Sequence, residues 1–178
     1  LVPIGDKLLF SEYDYCINLG GIANLSYEEN ETIIAFDICP VNIVLNKLSV
    51  ELGKPYDKNG DLAKSGKVNY ALLEELNKLE YYKKTTPKSL GIEYIEAKVF
   101  PIIDSYKISS EDKLRTFVEH TSIQISNTIK SINKKVLLTG GGTFNSFLAE
   151  RIQSNTNNNV IITSNQIIDF KEALIFAF

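Results

Sequence analysis

Between Asp14 and Asp37 apolar and polar side chains alternate with a strand period: "DYCINL", "IANLSY" and "TIIAFD" are parted by Gly20-Gly21 and by the polar "EENE". Period-two segments joined by turn residues predict an antiparallel meander of three strands. The period then lengthens. Val41, Val44, Leu45, Leu48 and Leu52 recur at helical spacing after Pro40, and Gly53 marks the stop, which predicts a helix with one buried face. "KPYDKNGDLAKSGKVN" reads as a polar loop and "YALLEELNKLEYY" as a short amphipathic helix. In "KKTTPKSLGIEY", a further loop, Pro87 drives Thr86 towards extended backbone. "IEAKVFPIIDSY" is helical but interrupted by Pro101. Ser109 or Ser110 opens a longer helix whose inner face carries Leu114, Phe117, Thr121, Ile125, Thr128 and Ile132. The end of the chain alternates: strand "KVLLTG", helix "FNSFLAERIQS", turn "TNNN", strand "VIITS", helix "FKEALIFAF". A meander followed by strand, helix, strand, helix predicts an α/β fold, a mixed five-stranded sheet with two parallel strands, flanked by helices.

Composition changes this picture little. With 178 residues, 44% hydrophobic and 23% charged, the chain suits a soluble globular domain or one lobe of a larger protein. A net charge of -3, with Lys83-Lys84 and Lys134-Lys135 as the only adjacent basic pairs, argues against a nucleic-acid partner. No apolar run reaches the length of a membrane span and "LVPIGDKLLF" lacks a signal-peptide pattern, so no membrane partner and a cytoplasmic address are expected. The chain has no Met and opens as if mid-segment, which leads us to expect a piece of something longer. Cys16 and Cys39 share no metal or redox spacing and are expected to be buried free thiols. His120, the single histidine, has no recognisable nucleophile beside it and is expected at a plain helix flank, without chemistry.

Candidate chemistry gathers at glycine. "VLLTGGGTFNSFLAERI", Val136 to Ile152, runs a strand through three glycines into a helix. No Lys follows, so a P-loop is excluded. A dinucleotide fingerprint would need a small residue at Asn145 and an acid where Thr163, Ser164 and Asn165 stand. What remains is either packing or a bare turn that admits a flat or anionic ligand before a helix N-terminus. At Gly20-Gly21, Asn18 and Asn24 flank the turn; it is an ordinary hairpin tip or, with the first corner, half of a two-sided nucleotide clamp. Asp57, Asn59 and Asp61 alternate as in a calcium loop, but Leu62 and Val68 stand where Gly and Glu are required. Asp37 ends a strand, and Glu172 lies in an apolar helix as either a polar face residue or a ligand contact.

Taken together and in order, "LVP", "INLGGIANLSY", "FDICPVN", "YDKNGDLAKSGK", "PKSLGIEY", "LLTGGGTFNSFLAERI" and "DFKEALIFAF" resemble the second lobe of the anhydro-N-acetylmuramic acid kinases, members of the actin, heat-shock chaperone and sugar kinase superfamily. The resemblance implies a single ribonuclease-H-like C-terminal lobe over residues 1–178, the N-terminal lobe lying outside this chain. It implies ATP and Mg2+ as cofactors, an amino sugar substrate and the protein's own N-terminal lobe as partner, and it leaves a homodimer open. By motif position, Asn18, Gly20, Gly21 and Asn24 would meet the phosphates, and Gly140, Gly141, Gly142 and Asn145 the nucleoside. Asp37, Asn42, Asp57, Lys88, Glu93 and Glu172 would line the sugar side of the cleft. The family's catalytic Asp and first phosphate loop lie upstream of the segment matching "LVP", so no catalytic residue is expected here, no metal ligand is assigned, and the lobe alone should be inactive. Ile38, Cys39 and Val41 replace a family Thr and two Gly, and Ile92 replaces a usual Arg. These departures raise an alternative, a degenerate sensor that binds nucleotide or amino sugar without catalysis.

Overall fold

The predicted meander forms because its strands present apolar side chains to one side at every second position. The computed structural model describes residues 2–177; Leu1 and Phe178, the outermost residues of the first and last quoted stretches, lie outside the described residues. Helix α1 (Val2–Leu9) leads into β1 (Tyr15–Leu19), β2 (Ile22–Glu29) and β3 (Thr32–Pro40). Helices α2 (Asn42–Glu51), α3 (Asp61–Ser65) and α4 (Tyr70–Asn77) follow. A short α5 (Ile92–Tyr94) passes through a π-helical turn, Ile95–Val99, into α6 (Phe100–Ser105). Pro101, which brings no N–H, sits in the first turn of α6, where the sequence predicted the interruption. Then come α7 (Ser110–Thr128), β4 (Lys135–Thr139), α8 (Ser146–Asn155), β5 (Asn159–Ile162) and α9 (Asn165–Ala177). The five strands run β3-β2-β1-β4-β5, antiparallel from β3 to β1 and parallel from β1 to β5, as expected.

The strand period divides the sheet into two unequal faces. Ile17, Leu19, Leu25, Ile38, Val136 and Leu138 point into the main core, which α2, α4, α7 and α8 cover with Leu45, Leu48, Leu76, Phe117, Ile125 and Leu148. The opposite face carries a far smaller cluster, Phe10, Cys16, Leu137 and Ile175, beneath α1 and α9. Both thiols are buried and free; burial pushes Cys16 up to about 12 and Cys39 higher, so neither ionises near neutrality. No helix among the described residues is long and apolar enough to cross a membrane.

Local capping departs from the periodic pattern in several places. The stretch after α2, expected as loop, contains a 3-10 turn (Lys58–Gly60) and α3, because the Asp57 carboxylate accepts the Leu62 and Ala63 N–H groups at 2.8 and 2.9 Å. α4 stops at Asn77, and a separate 3-10 turn covers Glu80–Lys83. Ser109 caps α7 by accepting from Asp112 N–H at 3.1 Å, but the helix ends at Thr128, so Ile132 does not join its inner face and is 65% exposed. α9 begins at Asn165, a turn earlier than the apolar pattern suggests.

His120 is the clearest correction: it is fully buried, not at a flank. Its Nδ1 lies 2.7 Å from Asn77 Oδ1, which also accepts from Gln124 Nε2, and its Nε2 lies 2.8 Å from the Tyr82 hydroxyl. Because Asn77 Oδ1 only accepts, Nδ1 carries the hydrogen and Tyr82 donates to Nε2. Burial drives the imidazole pKa from 6.5 down to about 3. The unfolded chain therefore binds a proton that the folded one refuses between those values, and stability falls as pH falls through that window. Denaturant unfolding at stepped pH should show His120→Gln flattening the acid limb by about 1.4 kcal/mol per pH unit relative to the parent.

Candidate functional site

The same alternation that buries Ile17 and Leu19 turns Asn18 the other way. Across the sheet Asp37 pairs with Asn24, Asn24 with Asn18, and Asn18 with Thr139, so four polar side chains form one row on the α1/α9 face. Glu172 of α9 closes the row from above by accepting from Asn18 Nδ2 at 3.1 Å. At its other end, Asp37 holds the segment after the 3-10 turn. Its Oδ2 accepts Leu90 N–H at 2.8 Å, its N–H donates to Lys88 O at 3.0 Å, and its carbonyl accepts from the Tyr81 hydroxyl at 2.6 Å. Lys88 Nζ donates to Tyr81 O at 3.2 Å and lies 4.4 Å from the centre of the Tyr81 ring, where partial burial lowers its pKa.

Beyond the row are the two glycine corners, and their glycines do different things. A Cβ on Gly140, whose φ is +81°, would collide with Asn18 and Leu19, and one on Gly142 would sit 2.8 Å from Leu19 Cβ and O. Those two residues allow the hairpin tip to rest on the turn after β4. A Cβ on Gly21 would come within 3.0 Å of Ile43, so it too serves packing. A Cβ on Gly141 would meet no atom within 4 Å, and one on Gly20 only the Ile22 carbonyl at 3.4 Å and the Asn18 amide at 3.8 Å. These bare positions share one corner cavity of about 280 Å³ with Asn18, Thr139, Gly140, Ile168, Lys171 and Glu172.

Two further cavities adjoin it. One, of about 530 Å³, shares Gly141 and is lined by Gly142, Asn42, Asn46, Asp57, Asn145 and the exposed rings of Tyr56 and Phe144. The other, of about 560 Å³, shares Glu172 and is lined by Asn24, Asp37, Pro87, Lys88 and Ser89. Gly141 and Glu172 are thus the two seams of a line of three spaces.

The structure brings together Asn18, Gly20, Gly140, Gly141 and Glu172, and sets Asn24, Asp37 and Lys88 next to them. Asn42 and Asp57, grouped by the resemblance with Asp37, lie instead on the Gly141 side. Both already have structural partners: Asn42 Nδ2 donates to Leu19 O at 3.2 Å, and Asp57 caps α3, burial raising its pKa against the two N–H groups. Asn145 likewise caps α8, accepting from Leu148 N–H at 2.9 Å. Glu93 is exposed on α5 and lines none of the three cavities. Ile38, Cys39 and Val41, the residues that depart from the family turn, are buried in the main core and do not reach the cleft. Thr139, Lys171, Tyr56 and Phe144 escaped the sequence reading; for Thr139 the strand period was the usable signal. Among the described residues no three His, Cys, Asp or Glu side chains cluster as a metal site.

A family model described as anhydro-N-acetylmuramic acid kinase matches residues 1–178. Anhydro-N-acetylmuramic acid kinases of Crocosphaera subtropica and Mannheimia succiniciproducens are 34% and 31% identical to the chain over 99% and 100% of its length. The chain spans 53% of either relative. Among solved structures, the activator of the 2-hydroxyisocaproyl-CoA dehydratase from Clostridium difficile, solved with bound ADPNP, superposes with a TM-score of 0.61 at 15% identity, covering 99% of this chain and 63% of that one. The component A of (R)-2-hydroxyglutaryl-CoA dehydratase from Acidaminococcus fermentans gives 0.53 at 17%, covering 98% and 63%. The sheet is therefore that of a ribonuclease-H-like lobe of the actin-type fold.

Adding a methyl group at each corner separates the two roles of glycine. Gly142→Ala should lower unfolding free energy by about 1–3 kcal/mol through overpacking on Leu19, whereas Gly141→Ala should stay within about 1 kcal/mol of the parent; urea titration of both variants reads the difference.

Proposed function

The chain belongs to the anhydro-N-acetylmuramic acid kinase family, and from that premise we propose that it supplies the nucleotide-gripping half of an ATP-dependent kinase acting on a 1,6-anhydro amino sugar. In the overall reaction, water opens the anhydro bridge, the freed 6-oxygen takes the γ-phosphoryl group, and N-acetylmuramic acid 6-phosphate and ADP leave. The observation that carries the reading is the pairing of Gly20 and Gly141, the two corner glycines where an added Cβ would meet nothing closer than 3.4 Å, along one cavity. Main chain is what a polyphosphate tail and a ribose can approach most closely. The adjoining space gives a purine two exposed aromatic rings, Tyr56 and Phe144.

On the other seam, Asn24, Asp37 and Glu172 offer the mixed donors and acceptors that sugar hydroxyls require. Lys88 is the cation among the described residues lining that cleft, and it suits the lactyl carboxylate where Ile92 cannot. Glu172, common to the corner cavity and the polar cleft, belongs where donor and acceptor meet. ATP fits the bare corners. Magnesium finds no three-ligand cage among the described residues, so we assign it no ligand on this chain, nor do we assign the base that activates water.

The decisive experiment incubates the complete protein with ATP and anhydro-N-acetylmuramic acid and follows sugar phosphate by mass; a sugar returned unphosphorylated overturns the proposal. Gly141→Ala should raise the Kd for nucleotide about tenfold in calorimetry, a change of about 1.4 kcal/mol. Lys88→Met should instead raise KM for the sugar by a similar factor while leaving nucleotide affinity in place.

A further inference from the structure

At the edge of the cleft, among the described residues, one ion pair is almost wholly withdrawn from water. Lys171 of α9 and Asp6 of α1 are 2.6 Å apart, with side chains 3% and 6% exposed, and Ser26 of β2 donates to the other Asp6 oxygen at 2.6 Å. Desolvation of such a pair consumes most of its Coulombic gain, and apolar side chains of similar size would hold two helices together as well. Geometry, rather than adhesion, is what this arrangement adds.

Lys171 immediately precedes Glu172, so their side chains leave α9 about 100° apart. One is tied through α1 to β2, the other to Asn18 on β1. Anchors at two azimuths fix the helix in rotation as well as in slide. The apolar cluster beneath it, Phe10, Cys16, Leu137 and Ile175, fixes neither, since apolar contact is non-directional. Glu172 itself is exposed and, among the described residues, makes a single side-chain hydrogen bond, so its position depends on the helix that carries it.

Resting on the reading of the cleft given above, we propose that Lys171 is a positioning residue: clamped by Asp6 and Ser26, it sets the Glu172 carboxylate at the seam between the corner cavity and the polar cleft. Lys171 borders the corner cavity, but its ammonium is committed to Asp6, so the clamp acts on the sugar through Glu172 rather than on the nucleotide.

The test replaces the whole clamp in the complete protein, Asp6→Leu with Ser26→Ala and Lys171→Met, so that no buried charge is orphaned. The thermal midpoint should stay within about 3 °C and nucleotide Kd within about twofold, while kcat/KM for the sugar falls about tenfold or more. Glu172→Gln, made in both backgrounds, closes the cycle: its penalty in the parent should largely vanish in the triple variant, a coupling of about tenfold. If the triple variant does not fold, Ser26→Ala alone, which loosens Asp6 but keeps the ion pair, enters the same cycle and must show the same sign of coupling. Additive penalties, or an unchanged kcat/KM, overturn the proposal. So does a nucleotide Kd that rises as steeply as the sugar effect, which would make Lys171 a phosphate ligand instead. A parent protein that binds nucleotide and phosphorylates the sugar while the variants behave additively sinks the clamp alone; a parent that does neither sinks the reading of the cleft and the clamp with it.

Discussion

The contact on which the rest depends is the seat of Leu19 on the turn after β4. At Gly142 a side chain would stand 2.8 Å from Leu19, and Gly140 turns through a φ of +81° directly against it. Only residues without a Cβ let the hairpin tip come down so far. Once seated, the tip caps the next helix: Gly20 O accepts from Asn42 N–H at 3.3 Å, Gly21 O from Val41 and Ile43 N–H at 2.8 and 3.3 Å, and the Asn42 amide returns a bond to Leu19 O. Two strands, the glycine turn and α2 are locked into one corner, with α2's first N–H groups spent on protein rather than left for an anion. Of three consecutive glycines, then, two build the fold and the middle one faces open space.

From that corner the site follows by parity. In β1, odd positions feed the main core and even positions face α9; in β4, Val136 and Leu138 go one way, Leu137 and Thr139 the other. The small apolar cluster occupies the far end of that second face, and the polar row Asp37, Asn24, Asn18 and Thr139 begins where it stops. A deep core on one face tolerates a thin, polar and open layer on the other. That asymmetry is what gives a ligand room without loss of the sheet.

The strands, the long helices and both glycine corners were legible because periodicity and turn chemistry are local. What was not legible depends on partners distant in the chain. His120 looks like any mid-helix polar residue until Asn77 and Tyr82 arrive from elsewhere to satisfy it. Asp57 resembles loop until its carboxylate is seen to start a helix. Asp37 and Asn42 stand close in sequence and motif, yet they serve different cavities. The register shift between Ala23 and Asn24 adds a residue to β3, and the chain then turns under the hairpin tip, sending Asn42 to the Gly141 side. In the hydrophobic pattern the bulge shows only as two adjacent apolar residues, Ile38 and Cys39, which a strand end would give as well.

The charge inventory of the cleft says how such a site must bind in the proposed reading. Around the corner and the polar cleft stand Glu172, Asp37 and Asp6 against Lys171 and Lys88, and Lys171 is already committed to Asp6. No unpaired lysine or arginine lines the corner cavity among the described residues, so side-chain charge cannot be what draws in a polyanion there. At the corner, affinity comes from main chain at Gly20 and Gly141; beyond the Gly141 seam it comes from the Tyr56 and Phe144 rings, with exposed Lys58 as the cation lining that space. The acidic side chains are then free for the other seam, where the hydroxyl and amide N–H groups of the sugar gain from carboxylate acceptors that a bound phosphate would only repel, while Lys88 meets its lactyl carboxylate. Committing Lys171 to Asp6 therefore suits a seam at which Glu172 borders both spaces: a free lysine in the corner would pair with Glu172 and take it out of reach of the sugar.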